Sequence, residues 1–255
     1  MSRTYDALQK AEAERARSQR TPLGPPDPFI TPRAGTHAAP RINLDLDASI
    51  EEEYQKLRSN LFARPGKEGL RTLMIAGANH GEGVTTTCVI LASVLARAGL
   101  GEIVLVDANL RTPALHELFP PTGVIKGLTD LLANGTCAKD LIQPTPVPNL
   151  SVIAAGRSLR SPSQLYQERI GELLAELQKQ FRYILLDCPP VPDYSDSTFL
   201  APKVDGILLV IRAEQTKIEV AVKAKRQLEW AGGQVIGAVF NSKRTYIPLV
   251  LERLL

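Results

Sequence analysis

With 255 residues, 44% of them hydrophobic, the chain can bury one sizeable core and carry smaller appendages. Its 30 lysines and arginines nearly balance its 27 aspartates and glutamates and form no basic cluster, so the composition disfavours a nucleic-acid partner. The three cysteines, Cys88, Cys137 and Cys188, form no CxxC pair, and no apolar run nears the roughly 20 residues of a membrane span. We therefore expect buried, reduced thiols in a soluble cytoplasmic protein.

The first 47 residues differ in composition from the rest. Residues 1–19 are rich in alanine, glutamate and arginine and predict a helix, either a marginal solvated one or a docking helix for a partner. Residues 20–47 hold six prolines and predict a semi-rigid linker. A compact domain therefore occupies residues 48–255.

Strands and helices alternate through this domain. We expect strands over residues 72–76, 102–107, 149–154, 182–187, 206–211 and 234–240. We expect helices over residues 49–63, 85–98, 114–119, 127–134, 163–180, 196–202 and 217–231. Ser49 with Glu52, and Thr216 with Glu219, have the spacing of capped helix starts. Because the short strands are apolar on both faces, the pattern predicts an α/β fold with a doubly wound, mostly parallel sheet, whose ligands bind at the strand carboxyl ends.

A glycine-rich turn joins the first strand to the next helix. Residues 75–87 read Ile-Ala-Gly-Ala-Asn-His-Gly-Glu-Gly-Val-Thr-Thr-Thr, and in this context backbone N–H groups and a helix N-terminus hold phosphate oxygens. Gly81 and Gly83 suit the turn because glycine allows positive φ, and Thr85 stands where a hydroxyl would bind Mg²⁺. The position that should carry the phosphate lysine holds Val84, so the loop keeps its cradle and loses its main cation.

Polar residues end three of the apolar strands. Asp107 and Asp187 each follow a run of apolar strand residues, and Asn241 ends the last strand. Carboxylates in such places are natural ligands of Mg²⁺, directly or through water. Taken alone, each aspartate is more often a loop cap or turn former. Together with the glycine-rich loop they indicate one shared site.

These segments together resemble the bacterial tyrosine kinases of capsule and exopolysaccharide synthesis, within the P-loop group that includes the septum-positioning and partition ATPases. Residues 81–86 resemble the family's Walker A loop, and residues 107–113 its second Walker motif, usually Asp-x-Asp-x-Arg, with His116 nearby. Residues 187–190 resemble its Walker B motif, usually Asp-Thr-Pro-Pro. Residues 52–60 resemble the helix through which these kinases assemble into rings. The resemblance implies a P-loop NTPase fold with a deviant Walker A loop, as in partition ATPases.

The resemblance also implies roles for individual residues, with ATP or ADP and Mg²⁺ as ligands. The nucleotide contacts would be Gly81, Glu82, Gly83, Val84, Thr85, Thr86, Arg111 and Asn241, the last against adenine. The metal ligands would be Thr85, Asp107 and Asp187, and Asp107 would be the catalytic base of an active enzyme. Glu52 and Arg58 would contribute to a homo-oligomer. A membrane-embedded polysaccharide co-polymerase or chain-length regulator would be the partner, recruiting the protein to the inner face of the membrane.

Four departures from the family pattern bear on activity. Val84 replaces the phosphate lysine, Asn109 replaces the second aspartate of the family-specific motif, and Gln55 replaces an arginine of the ring-forming motif. The C-terminal tail holds only Tyr246, where the family usually presents a tyrosine cluster for phosphorylation in trans. Arg111 could partly replace the missing cation.

Three hypotheses follow. The first is a nucleotide-binding, kinase-like regulator of polysaccharide synthesis with impaired catalysis. The second is an active autokinase that tolerates Val84 and phosphorylates Tyr246 or Tyr5. The third is a partition-type ATPase, which is disfavoured because Asn79 stands where that group has its signature lysine and no terminal basic amphipathic helix is present.

Overall fold

The computed structural model describes residues 46–62, 69–120, 126–135, 137–156 and 163–242. The helix predicted over residues 1–19, nearly all of the linker over 20–47, Tyr5 and Tyr246 lie outside these residues, so those predictions remain untested.

The described residues form an alternating series of strands and helices. The strands are β1 (Thr72–Gly77), β2 (Ile103–Asp107), β3 (Gln143–Pro144), β4 (Leu150–Ile153), β5 (Tyr183–Asp187), β6 (Gly206–Arg212) and β7 (Val235–Asn241). The helices are α1 (Ala48–Phe62), α2 (Val84–Arg97), α3 (Leu115–Leu118), α4 (Leu128–Asn134), α5 (Ser163–Leu177), α6 (Asp196–Leu200) and α7 (Ile218–Trp230), with short 3₁₀ turns at Ala138–Asp140 and Ala201–Lys203. No helix in this part of the chain is long and apolar enough to cross a membrane.

The strands form one sheet in the order β3-β4-β2-β5-β1-β6-β7. All neighbouring strands are parallel except β3 and β4, which confirms the predicted doubly wound, mostly parallel architecture. The central strands are buried along their whole length because helices cover both faces. Residues of α1, α2 and α3 pack on one face, and residues of α4, α5, α6 and α7 pack on the other.

Most predicted elements are present within a few residues, and the exceptions are local. The two-residue strand β3 was not expected. Helix α1 begins at Ala48, so Ser49 lies inside its first turn instead of capping it. Thr216 does not cap α7 either, since Lys217 is the N-cap residue and makes no side-chain cap. Cys137 is exposed, whereas Cys88 and Cys188 are buried as expected.

Candidate nucleotide-binding site

The strand order brings the predicted site residues to one edge of the sheet. Strand β1 leads into the phosphate loop, which we define as residues 78–84, and it lies between β5 and β6. Asp107 is paired in register with Asp187 on the neighbouring strand, and adjacent strands are about 4.8 Å apart. Asn241 ends β7, on the opposite side of β1 from the two aspartates. The loop is therefore flanked by carboxylates on one side and by the ends of β6 and β7 on the other.

The phosphate loop has the conformation that its glycines allow. Gly81 has φ 76° and Gly83 has φ 86°, both in the left-handed region. Helix α2 starts at Val84, directly after Gly83. The first N–H groups of a helix have no partner within the helix, so they are available to an anion placed above them.

Glu82 holds the loop from the inside. Its side chain is 2% exposed, and its Oε2 accepts a hydrogen bond from the Ala78 N–H at 2.5 Å. Its Oε1 accepts one from the Thr216 hydroxyl at 2.5 Å and one from the Asn79 amide at 3.3 Å. Because the carboxylate is used in this way, a nucleotide contact at Glu82 is left to its backbone.

Asn241 closes the loop from the other side. Its Nδ2 donates to the backbone oxygen of Glu82 at 2.8 Å, and its Oδ1 accepts from the N–H of Ser242 at 2.8 Å. A Cβ built on Gly83 would lie 2.1 Å from this Nδ2, so only glycine permits the contact. We call the side chains of Glu82, Thr216 and Asn241 the loop latch. The adenine contact implied for Asn241 remains a prediction.

Val84 adds no charge to the loop. Its side chain is half-buried and packs against the apolar cluster beneath α1 and α2. One of its methyl carbons, Cγ2, lies 3.0 Å from where a Cβ on Gly77 would stand. Apolar packing therefore holds the position at which the family has its lysine.

Asp187 is a buried carboxylate without a hydrogen-bond partner among the described residues. The residue is 1% exposed, and neither carboxylate oxygen is bonded there. Burial raises its pKa well above the usual range, and the nearby charge of Asp107 raises it further. The Thr85 hydroxyl is close enough to lower the pKa, although it is not in hydrogen-bonding geometry. A group in this state needs a cation or a proton.

Asp107 differs from Asp187 because backbone groups bind it. Its Oδ1 accepts from the N–H of Asn109 at 3.2 Å, and its Oδ2 accepts from Ala114 at 3.2 Å and Leu115 at 3.1 Å. It therefore organises the loop after β2 and the start of α3, the helix that carries His116. Burial raises its pKa to about 7, against the opposing effect of these hydrogen bonds.

These oxygens fit a magnesium ion. Carboxylates and hydroxyls are the hard donors that Mg²⁺ prefers, and Asp187 has unused lone pairs. No group of three His, Cys, Asp or Glu side chains able to hold a metal occurs within the described ranges. The remaining ligands would therefore be water and phosphate oxygens, as Mg²⁺ commonly has in nucleotide sites.

Arg111 has Asp196 and Tyr194 as partners. Its Nε lies 2.6 Å from Oδ2 of Asp196, and its Nη2 lies 3.3 Å from Oδ1, while Asp196 itself is 1% exposed. Its guanidinium carbon lies 4.3 Å from the ring centroid of Tyr194, which in turn meets the ring of His80 at 5.9 Å. Arg111 thus forms a bidentate pair with Asp196, and its predicted nucleotide contact stays a prediction.

The predicted ring-forming helix α1 packs on α2. Glu52 is in an exposed ion pair with Lys56 at 3.2 Å. The Tyr54 hydroxyl lies 3.5 Å from the Thr87 hydroxyl in α2, and Arg58 has a buried Nε with no partner in the described part of the chain. The role of Glu52 and Arg58 in an oligomer remains a prediction.

Comparison with known proteins decides the family. Residues 70–223 match the family described as an AAA domain. The tyrosine-protein kinase CpsD of Streptococcus agalactiae is 34% identical over 192 residues, which cover 75% of this chain and 82% of CpsD. The chain belongs to the bacterial tyrosine kinase family of capsule and exopolysaccharide synthesis. YwqD of Bacillus subtilis, also named a tyrosine-protein kinase, is 30% identical over 76% of this chain and 81% of its own.

Solved structures of this kinase family share the fold. The kinase domain of the Escherichia coli tyrosine kinase ETK superposes with a TM-score of 0.69 and 28% identity, over 78% of this chain and 79% of that domain. The septum-site protein MinD of Pyrococcus horikoshii, solved with Mg-ADP, gives a TM-score of 0.59 at 22% identity, over 72% of this chain and 76% of its own. That second likeness shows a common P-loop fold.

Three residues that contact predicted site residues were not singled out from the sequence: Thr216, Asp196 and Tyr194. Thr216 is predicted to start a helix, and nothing local reveals that it reaches Glu82 across 134 positions. Asp196 and Tyr194 follow the Walker B segment, and only their contacts with Arg111 show that they belong here.

Proposed function

We propose that this chain is a nucleotide-binding, kinase-like regulator of exopolysaccharide or capsule synthesis whose phosphoryl transfer is impaired. The observation that carries the proposal is a phosphate loop held in shape by the loop latch while the lysine position is occupied by Val84. Binding and catalysis make different demands on such a loop. Backbone N–H groups suffice to hold a phosphate, whereas transfer needs charge placed on the moving phosphoryl group.

The chain's own residues would divide the work as follows. The loop backbone and the start of α2 would bind phosphate oxygens, and Thr85, Asp107 and Asp187 would hold the metal ion. Bound Mg²⁺ would neutralise charge on the β- and γ-phosphates. Asp107, with a pKa of about 7, would accept the proton of an attacking hydroxyl in any residual reaction. The loss of the lysine costs on the order of 10²–10³ in rate, by analogy with removing a transition-state donor.

Asn109 is a second departure that lowers activity. Its amide nitrogen donates to the Thr112 hydroxyl at 3.0 Å, and its oxygen accepts from the Thr112 N–H at 3.2 Å. The neutral amide closes a local turn, and it brings no negative charge to the metal side of the site. A carboxylate lost beside a lost cation compounds the deficit, although such effects are rarely additive.

Calorimetric titration with ATP and ADP, with and without Mg²⁺, tests the binding half of this proposal. We expect dissociation constants nearer ~10⁻⁴ M than ~10⁻⁶ M, because one charge-assisted hydrogen bond of about 1.5–3 kcal/mol is missing. No binding at millimolar nucleotide, by protein shown to be folded, would contradict the proposal.

The double variant Val84→Lys, Asn109→Asp tests the catalytic half. We expect tighter ATP binding and a higher rate of ATP turnover, since the cation and the carboxylate are both restored. Val84→Met with Asn109→Asp is the matched control, because methionine supplies length without charge. A double variant that stays inert while folded would place the defect outside these two positions.

An active autokinase is the second candidate, favoured by one observation. Asp107 is retained beside Asp187, and its pKa of about 7 suits a general base at neutral pH. Phosphopeptide mass spectrometry after incubation with Mg-ATP separates the two. Phosphotyrosine at Tyr246 or Tyr5 that disappears in Asp107→Ala would establish the kinase and overturn the impaired regulator.

We further propose that the protein works with a membrane-embedded co-polymerase or chain-length partner. The Ralstonia nicotianae relative EpsB is 32% identical over 77% of this chain, but the match covers only 26% of EpsB. In EpsB the matching domain is one part of a longer chain. For the present protein, a separate membrane protein would take the place of the rest of that chain. Co-expression with a membrane protein encoded beside this gene should move this chain to the membrane fraction. Deletion of residues 1–19 tests whether that segment is the docking arm.

A further inference from the structure

Arg212 lies at the edge of the candidate site. It is the last residue of β6, the strand between β1 and β7. In the register of the sheet, Val210 is opposite Gly77, the last residue of β1, and Arg212 is opposite Asn241. Arg212 therefore extends past the end of β1, at the height where the phosphate loop begins.

The alternation of side chains along β6 places Arg212 on the same face of the sheet as α2. Leu208 and Val210 belong to the apolar cluster beneath α1 and α2, against which Val84 also packs. Arg212 is two residues beyond Val210, and residues two apart on a strand point to the same face. The guanidinium and the position of the missing lysine thus share one face and one edge of the sheet.

The Arg212 guanidinium has no hydrogen-bond or ion-pair partner within the described ranges. Its Nε is buried and unsatisfied, although the residue as a whole is half-buried. Arginine stays ionised in proteins and offers five N–H donors in a planar fork suited to phosphate. Leaving a buried N–H donor of a cation unpaired costs free energy, so an anion bound beside Arg212 would be stabilised. Arg111, by contrast, already has Asp196.

We propose that Arg212 is a phosphate-binding residue of the nucleotide site and that its positive charge offsets part of what is lost with Val84 at the lysine position. This inference rests on the proposed nucleotide binding. Arg212 lies on the Asn241 side of the loop, opposite the metal-binding carboxylates on β2 and β5. Those carboxylates would hold Mg²⁺ on that other side, where it would neutralise charge on the terminal phosphates. Arg212 therefore contacts a phosphate that ATP and ADP share.

Titration of ATP and ADP against Arg212→Gln tests the inference, with Mg²⁺ present throughout. The variant should lose about tenfold or more in affinity for both nucleotides, to a similar extent, whereas Arg212→Lys should lose less because the charge stays. Arg226→Gln on α7 is the matched control, since it removes the same charge from an exposed position and should change affinity less than about twofold.

A second variant separates charge from structure. Adding Val84→Lys to Arg212→Gln should return the affinity to within about threefold of wild type, because a cation again faces the phosphates. A purely structural role of Arg212 would not be rescued in this way. Thermal melts establish that each variant is folded. If Arg212→Gln does not fold, the nucleotide affinity of Arg212→Lys is compared with that of wild type instead.

The outcomes distinguish the inference from the function on which it rests. Wild-type protein that binds ATP and ADP, with Arg212→Gln binding equally well, overturns the role of Arg212 and leaves the proposed function standing. Loss of affinity that Val84→Lys does not restore also overturns it. Wild-type protein that binds neither nucleotide overturns both.

Discussion

Replacing Gly83 with alanine should release the loop latch, while the same replacement at Gly81 should leave it intact. Both glycines have positive φ, so alanine costs about 1–2 kcal/mol at either position. Nothing lies within 4 Å of a Cβ on Gly81, but a Cβ on Gly83 would stand 2.1 Å from Nδ2 of Asn241. The amide must then move and give up its hydrogen bond to Glu82, which adds about 0.5–1.5 kcal/mol.

Thermal unfolding of the two variants measures this difference. One kcal/mol shifts Tm by roughly 2–4 °C in a chain of this size, so Gly83→Ala should melt about that much below Gly81→Ala. Its affinity for ADP should also fall further, because the loop N–H groups lose their fixed positions. In an Asn241→Ala background the clash is absent, and the two alanine variants should cost the same. Equal Tm losses in the wild-type background would refute the latch.

Three further outcomes are expected. The first concerns the two buried carboxyls, because the pKa of Asp107 is about 7 and that of Asp187 is raised well above the 3.8 of the unfolded chain. Both groups therefore bind protons more tightly in the folded state than in the unfolded state. Their contribution to stability falls as pH rises from about 4 to 7 and beyond. Melts in EDTA should therefore show Asp187→Asn gaining stability relative to wild type as pH rises, and a constant difference would contradict the assignment. Asp196→Ala should cost about 1.5–3 kcal/mol, or about 3–12 °C in Tm, because it removes the charge-assisted hydrogen bonds of Arg111, whose side chain is 21% exposed. A loss below 2 °C would show that the pair is unimportant. Thr216→Val should cost about 1–3 kcal/mol in urea unfolding and weaken ADP binding in calorimetry, because it removes a donor from the buried Glu82 carboxylate. Unchanged ADP affinity would show that this hydrogen bond does not hold the phosphate loop in its binding conformation.

The fold could be predicted because the spacing of apolar residues along each strand and helix is a local property of the sequence. Six of the seven described strands match the apolar runs in the sequence, and the seventh, β3, is too short to produce a pattern. The parallel arrangement followed from strands that are apolar on both faces. The strand-end positions of Asp107 and Asp187 followed in turn, since parallel strands end at one edge.

The side-chain contacts within the site could not be predicted, because they join residues far apart in the chain. The nucleotide contact of Glu82 stays a prediction, and nothing local in the sequence indicates that its carboxylate bonds to Ala78 and Thr216. The nucleotide contact of Arg111 also stays a prediction, and its pairing with Asp196, 85 residues away, has no local signal either. A motif specifies which groups reach the site, whereas the choice among available partners depends on packing that only three-dimensional structure defines.

The loop latch holds the phosphate loop without using the side chain at position 84. Each hydrogen bond of the latch uses a side chain or backbone group other than the side chain at position 84. Valine in place of the family's lysine is therefore compatible with the folded loop. The consequence is that phosphate binding and phosphoryl transfer would depend on different parts of the same loop. The backbone N–H groups would serve binding, whereas the side chain at position 84 would matter mainly for transfer.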